Sequence, residues 1–212
     1  MKPTLKQMEI DILQHLAVGL APHGFEFDKK ATHFEKHTSD HRWSFRPGFI
    51  KHGTDFDIIA SVAVRIDPLE RLIYENDEVR AEKGYSLGAE LGNISQGRQR
   101  RWTVSRPGDI ETVAKSVLAE FERTGLPYLQ MYSVMENALE VLSGDDKSAW
   151  LHSPLHDERA KRAIGLAFLL GKKEVFDKLA EKKTAFLEKR NDSRLQLFID
   201  FRNKLKNRLK AS

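Results

Sequence analysis

Three histidines, His33, His37 and His41, recur every four residues. On a helix that spacing would stack three imidazoles on one face, where they could ligate zinc. The surrounding residues alternate as a strand does, so the segment reads instead as a hairpin turning at Ser39-Asp40. An even-length turn puts Phe34 on the same face as Trp43 and Phe45, as a buried face requires. That register leaves His33 and His37 on the opposite face beside Arg42 and Arg46, and sends His41 to the aromatic side. Two guanidiniums next to two imidazoles oppose a dication, so no metal site is expected from these candidate ligands.

Other reactive types give less. Asp55 and Asp57 fall on what reads as the solvent face of a strong strand, together with Arg65. General acid–base work needs carboxylates in different, partly desolvated environments, and nothing local supplies that burial. Gly84, Gly88, Gly92 and Gly97 are not followed by Lys-Ser/Thr and match neither a phosphate loop nor a dinucleotide fingerprint, so no cofactor is expected. His152, Ser153 and His156 read as a polar connector around Pro154. There is no Gly-x-Ser-x-Gly elbow for a hydrolase. The best functional hint is Arg98, Arg100, Arg101 and Arg106 flanking Trp102, because Arg and Trp dominate interface hot spots and Arg takes phosphate bidentately. With Arg42 and Arg46 these are the candidate binding residues. Trp102 itself reads as a core anchor.

These residues need elements to carry them. Leu5, Met8, Ile12, Leu13, Leu16 and Leu20 share one helical face, with Thr4 as the cap. Period-two alternation then marks strands at Phe25–Phe27, Ala31–His37, Arg42–Ile50, Asp55–Ile66 and Arg100–Val104. Pro68 opens a short helix, and residues 75–97 read as a long polar loop. Pro107-Gly108-Asp109 caps a helix with Ile110, Val113, Val117, Leu118 and Phe121 on its face, and helices follow to the end. Strands and helices are segregated, which predicts an α+β fold: an N-terminal helix, an antiparallel sheet of four to five strands with a packed helix, then an all-helical part. The expected organisation is an α+β domain over 1–130 and a helical subdomain over 131–212. The stripe Leu195, Phe198, Phe201, Leu205 and Leu209 is expected to dock on the first domain.

Across 212 residues, apolar residues make up 40% and charged residues 31%, which excludes collagen-like and bulk-disordered chains. No cysteine is present, so thiolate metal sites, disulfides and cysteine nucleophiles are excluded. The first residues carry internal charges that break any signal-peptide run, and the apolar stretch Ala163–Leu170 is far short of a span. A cytoplasmic protein with no membrane partner is expected. The net charge of +4 is uneven: residues 172–212 hold 13 basic and 6 acidic side chains. Mixed charge on helix faces is ordinary solvation. Arg202, Lys204, Lys206, Arg208 and Lys210, however, run with no acid among them and, with Arg98–Arg106, suit nucleic acid as an alternative partner.

The leading helix, Gly24-Phe25 with Phe27, Phe34, Trp43 and Phe45, and the later Gly125-Leu126-Pro127-Tyr128 resemble the bacterial proteins grouped as "domain of unknown function 4304" over residues 5–145. The resemblance implies a small α+β domain in bacterial cytoplasm, akin to toxin-neutralising immunity proteins, and carries over no catalytic residue. Together these readings predict a non-enzymatic factor that binds another protein.

Overall fold

The computed structural model describes residues 3–29 and 31–211. The elements run α1 (Leu5–Leu20), β1 (Glu26–Asp28), β2 (His33–His37), β3 (His41–Lys51), β4 (Phe56–Ile66), α2 (Asp67–Ile73), α3 (Glu78–Lys83), β5 (Leu87–Glu90), α4 (Leu91–Gln96), β6 (Trp102–Val104), α5 (Ile110–Glu120), α6 (Leu126–Tyr132), α7 (Met135–Ser143), α8 (Lys147–His152), α9 (His156–Leu169), α10 (Lys173–Lys189) and α11 (Leu195–Ala211). A π-helical turn, Phe121–Gly125, joins α5 to α6. The six strands form one sheet in the order β1-β2-β3-β4-β5, with β6 also pairing β4. This is the α+β architecture the patterning predicts. No helix among the described residues is long and apolar enough to cross a membrane.

The chain folds into two compact units, 1–63 with 89–130 and 64–88 with 131–212. In the first, the hairpin turns at Ser39-Asp40 with Phe34 opposite Phe45 and Lys36 opposite Trp43, so the even-length turn sets the predicted parity. Phe121 fills the face this creates, edge-on to Phe25 at 5.5 Å and to Phe45 at 5.2 Å between centroids. α1 packs on α5. Their approach depends on Gly19, where a Cβ would lie 2.2 Å from a Leu118 methyl.

The second unit is organised around α9, against which α2, α7, α10 and α11 all pack. Phe198, Phe201 and Leu205, the centre of the C-terminal stripe, are buried there. The stripe therefore covers itself against helices of its own unit.

Two readings are corrected. Residues 75–97 are not a loop: Asp77 caps α3 by accepting from the Arg80 amide, β5 joins the sheet, and the Glu90 carboxylate caps α4 through the amides of Gly92 and Asn93. Each element is four to six residues long, too short for a periodic pattern to show. The second correction concerns β4, whose "solvent" face is buried at both ends. The Arg65 guanidinium donates to Asp67 and to the carbonyls of Ala81 and Gly84 at the end of α3. A loop would offer no such fixed acceptors. Asp57 is likewise buried, as described below.

Candidate functional site

In the first unit, a carboxylate that sequence reasoning passed over dismantles the histidine cluster. Glu35 accepts from His33 Nε2 at 2.7 Å and from His37 Nε2 at 3.0 Å, with Arg42 at 4.0 Å. The other nitrogen of His33 faces the Ala31 carbonyl at 3.2 Å, so both ring nitrogens are engaged by protein oxygens. His41 stacks on Trp43 with centroids 5.8 Å apart. The parity argument placed all three correctly, and they do not converge. Among the described residues no group of three or more His, Asp or Glu is arranged to hold a metal ion.

The candidate arginines are shared among different acceptors. Arg46 Nε donates to Ser44. Arg100 stacks on Trp102 at 4.8 Å and pairs with buried Glu120 at 2.5 Å. Arg101 reaches Asp57 at 3.5 Å, and Arg106 closes a capping box with Asp109 at 3.1 Å. Arg98 is exposed. Trp102 is the core anchor expected of it, its indole N–H donating to Ser116.

Glu120 sits where α5 meets the π turn and gathers Arg100, Arg123 and Thr124. Burial alone would raise its carboxyl. Hydrogen bonds from Arg123 and Thr124, with the Arg123 charge, outweigh burial and hold it below the usual carboxylate value. Asp57 is also held low, chiefly by the Thr103 hydroxyl on the paired strand β6, against burial and with help from His52 and Arg101. Both acids stay ionised and occupied, as the anchors of ion pairs do.

The second unit holds what the sequence reading missed. Along α9, Asp157, Glu158, Arg159, Lys161 and Arg162 are all buried. Glu70 on α2, fully enclosed, accepts from Arg162 Nε at 2.9 Å and from Ser86 at 2.8 Å. Glu158 takes the Tyr74 hydroxyl, and burial together with that bond pushes the phenol far up. Lys161 and Arg194 both reach Asp157. Three acids meet three bases here, and the charge closes.

A second network does not close. Asp145 faces Lys183 at 2.5 Å, Lys182 at 3.3 Å and Arg159 at 3.9 Å. The surplus cations spend their hydrogens on the orphan carbonyls at the ends of α7 and α8. Lys183 donates to Ser143 and Gly144, and Arg159 to Gly144 and Ser153. Burial, only partly offset by Asp145, pushes the Lys183 ammonium down to about 8.

Two clefts open in front of this cation-rich node and share Asp146 as a common wall. One, of about 480 Å³, is lined by Met131, Tyr132, Asn137, Glu140, Val141 and neighbouring residues of α8. The other, of about 400 Å³, is lined by Asp145, Asp146, Lys147, Trp150, His156 and Arg190. Trp150 stands 55% exposed beside it, whereas Trp43 and Trp102 are buried. The supposed polar connector is part of this construction. His152 and Ser153 are buried at the end of α8, and His156 opens α9. The sequence cue was available in Asp157–Lys161 and Glu158–Arg162, acid–base pairs four apart, but such pairs usually lie in solvent.

Comparison with protein-family models, with curated proteins and with solved structures finds no match to this chain. The functional argument therefore rests on geometry.

Proposed function

We propose that this protein is a non-enzymatic binding factor, of immunity or accessory type, that recognises another protein through the α8 surface of its second unit. The observation that carries the reading is Trp150, an exposed indole on a short helix between two clefts, with the Arg190 guanidinium lining the same cleft. Exposed Trp and Arg around a recess are the composition of an interface hot spot. Met131, Val134 and Leu155 are also large apolar side chains left in solvent by this unit. The strongly shifted Lys183 supports a structural use, since Ser143, Gly144 and Asp145 take its three hydrogens.

The alternative of nucleic-acid binding through the tail has two of its five cations neutralised by one acid. Lys204 and Arg208 pair with Glu75, and Arg202 donates to Thr184. Affinity capture from the encoding organism, with wild type and Trp150→Ala in parallel, tests the proposal. A stoichiometric protein partner lost in the variant supports it. Absence of any protein partner, with a metabolite giving a clear rise in melting temperature, overturns it.

A further inference from the structure

We propose that the 400 Å³ cleft is a receptor for a carboxylate, an Asp or Glu side chain presented by an acidic segment of the partner, with Trp150 covering the neighbouring side chain. This inference rests on the protein-binding reading above and names the chemistry of the partner.

Three donors line the cleft. The Arg190 guanidinium lies 5.6 Å from the Phe186 ring centroid, held by stacking and without a carboxylate partner among the described residues. Its planar fork is thus available for bidentate contact. Lys147, at the start of α8, is exposed and likewise has no acid partner among the described residues. His156 Nδ1 lies 3.0 Å from Arg159 Nη2. A guanidinium only donates, so Nδ1 accepts and the imidazole proton sits on Nε2, which makes the ring a neutral donor. Burial, with the charges of Arg190 and Arg159, keeps the imidazole in that form by lowering its basicity.

The two carboxylates in the lining do not satisfy these donors. Asp146 is committed to the Ala149 amide as the cap of α8, and Asp145 to Lys182, Lys183 and Arg159. Summed over the lining residues, the cations on Asp145 and Asp192 near His156, with His156 neutral, five basic groups stand against three acids. The local potential is positive, which selects an anion. The same two aspartates repel a second negative charge at close range, which favours a monoanionic carboxylate over a phosphate dianion. The indole alongside supplies apolar area at low entropic cost, so a carboxylate followed by an apolar or aromatic residue fits best.

Trp150 is the one exposed tryptophan, so quencher-accessible emission of the full chain reports on this cleft. Relative to free N-acetyl-tryptophanamide, its iodide-to-caesium quenching ratio is expected to be about threefold higher at matched ionic strength, as a positive potential requires. Trp150→Phe should abolish the accessible component. A capped tetraglutamate peptide should protect Trp150 from acrylamide while the tetraglutamine analogue does not. Arg190→Gln should remove that protection without altering the acrylamide accessibility of the unliganded protein. An iodide-to-caesium ratio no higher than that of free N-acetyl-tryptophanamide, equal protection by the glutamine peptide, or protection by adenosine monophosphate alone would each overturn the inference. A protein captured through Trp150 that binds Arg190→Gln and Lys147→Gln at full strength also overturns it and leaves the protein-binding reading standing. Failure of that reading appears separately, as the lack of any Trp150-dependent partner, and does not move the quenching ratios.

Discussion

The two units solve the burial problem with different chemistry. The first builds its interior from rings and aliphatic side chains, with Phe121 wedged against Phe25 and Phe45, and buries only two acids, Asp57 and Glu120, each paired with arginines that reach solvent. The second runs a helix with five buried charged residues through its middle and must answer each one. An apolar core tolerates imperfect neighbours, because dispersion and desolvation are non-directional. A buried guanidinium or carboxylate needs a specific partner at a specific distance. Where that requirement is met with charge balance, as around Glu70 and Arg162, the result is purely architectural. Where a cationic surplus is left, as around Asp145, the adjoining surface acquires a potential that a ligand can use.

Paired deletions give the strongest contrast. Phe121→Ala removes the wedge of the first unit and is expected to cost ~3–5 kcal/mol in urea unfolding. Arg162→Met, which leaves the enclosed Glu70 with Ser86 and no cation, is expected to cost a similar ~3–5 kcal/mol. The two should part company on repair. Adding Glu70→Leu to Arg162→Met should recover a large share of the loss, since replacing both partners of a buried pair by apolar groups is close to neutral. If the double variant is no more stable than the single, the ionic network is not the closed unit described. Gly125→Ala comes next. A Cβ there would lie 2.9 to 3.1 Å from Phe121, Leu91 and Val62, so overpacking is expected to cost ~1–3 kcal/mol by the same measurement.

Much of the first unit could be read without coordinates. The parity of a two-residue turn sufficed to place Phe34, Trp43, His33 and His41, because side chains on a strand have only two directions. Glu35 was on the page too, but alternation alone does not tell which exposed carboxylate will gather its neighbours. Residues 75–97 were misread because α3, β5 and α4 are each shorter than the window a period needs. Arg65 went with them, its acceptors being carbonyls that exist only once α3 has formed. The charged start of α9 was the least legible. Asp157, Glu158, Lys161 and Arg162 have the spacing of an exposed helix face, and only the four helices around them turn that face inward. The cleft at Trp150 follows from that packing, so none of its residues could have been grouped beforehand.

Titration separates the two kinds of interior with a smaller effect. Lys183 has a folded pKa of about 8 against an ordinary 10.5. Between those values the unfolded chain holds the extra proton, so stability should rise with pH across that window. In Lys183→Met the rise should be absent, and comparing melting temperatures of the two proteins at pH 8 and pH 10 checks it. Glu120 works in the opposite sense. Its folded carboxyl lies below the ordinary value of 4.5, so it stabilises above that pH and the contribution is lost as pH falls through the lowered value. Glu120→Gln should flatten the acid limb of the melting profile. The smallest effect belongs to the margin: Arg101→Ala breaks a half-exposed pair with Asp57 and should change stability by less than ~1 kcal/mol.

The contact between Glu70 and Arg162 spans 92 residues. At a synthesis rate of about 5–20 residues per second, Glu70 and the apolar Leu69 beside it leave the ribosome about 5–20 s before α9 follows. The intervening chain includes β5, β6 and α5, which belong wholly or partly to the other unit. The first unit can therefore close while α2 still waits for the helix that will cover it. During that interval a nascent chain carries a bare carboxylate and an uncovered leucine on one short helix. Both are hidden only when the last third of the protein has been made.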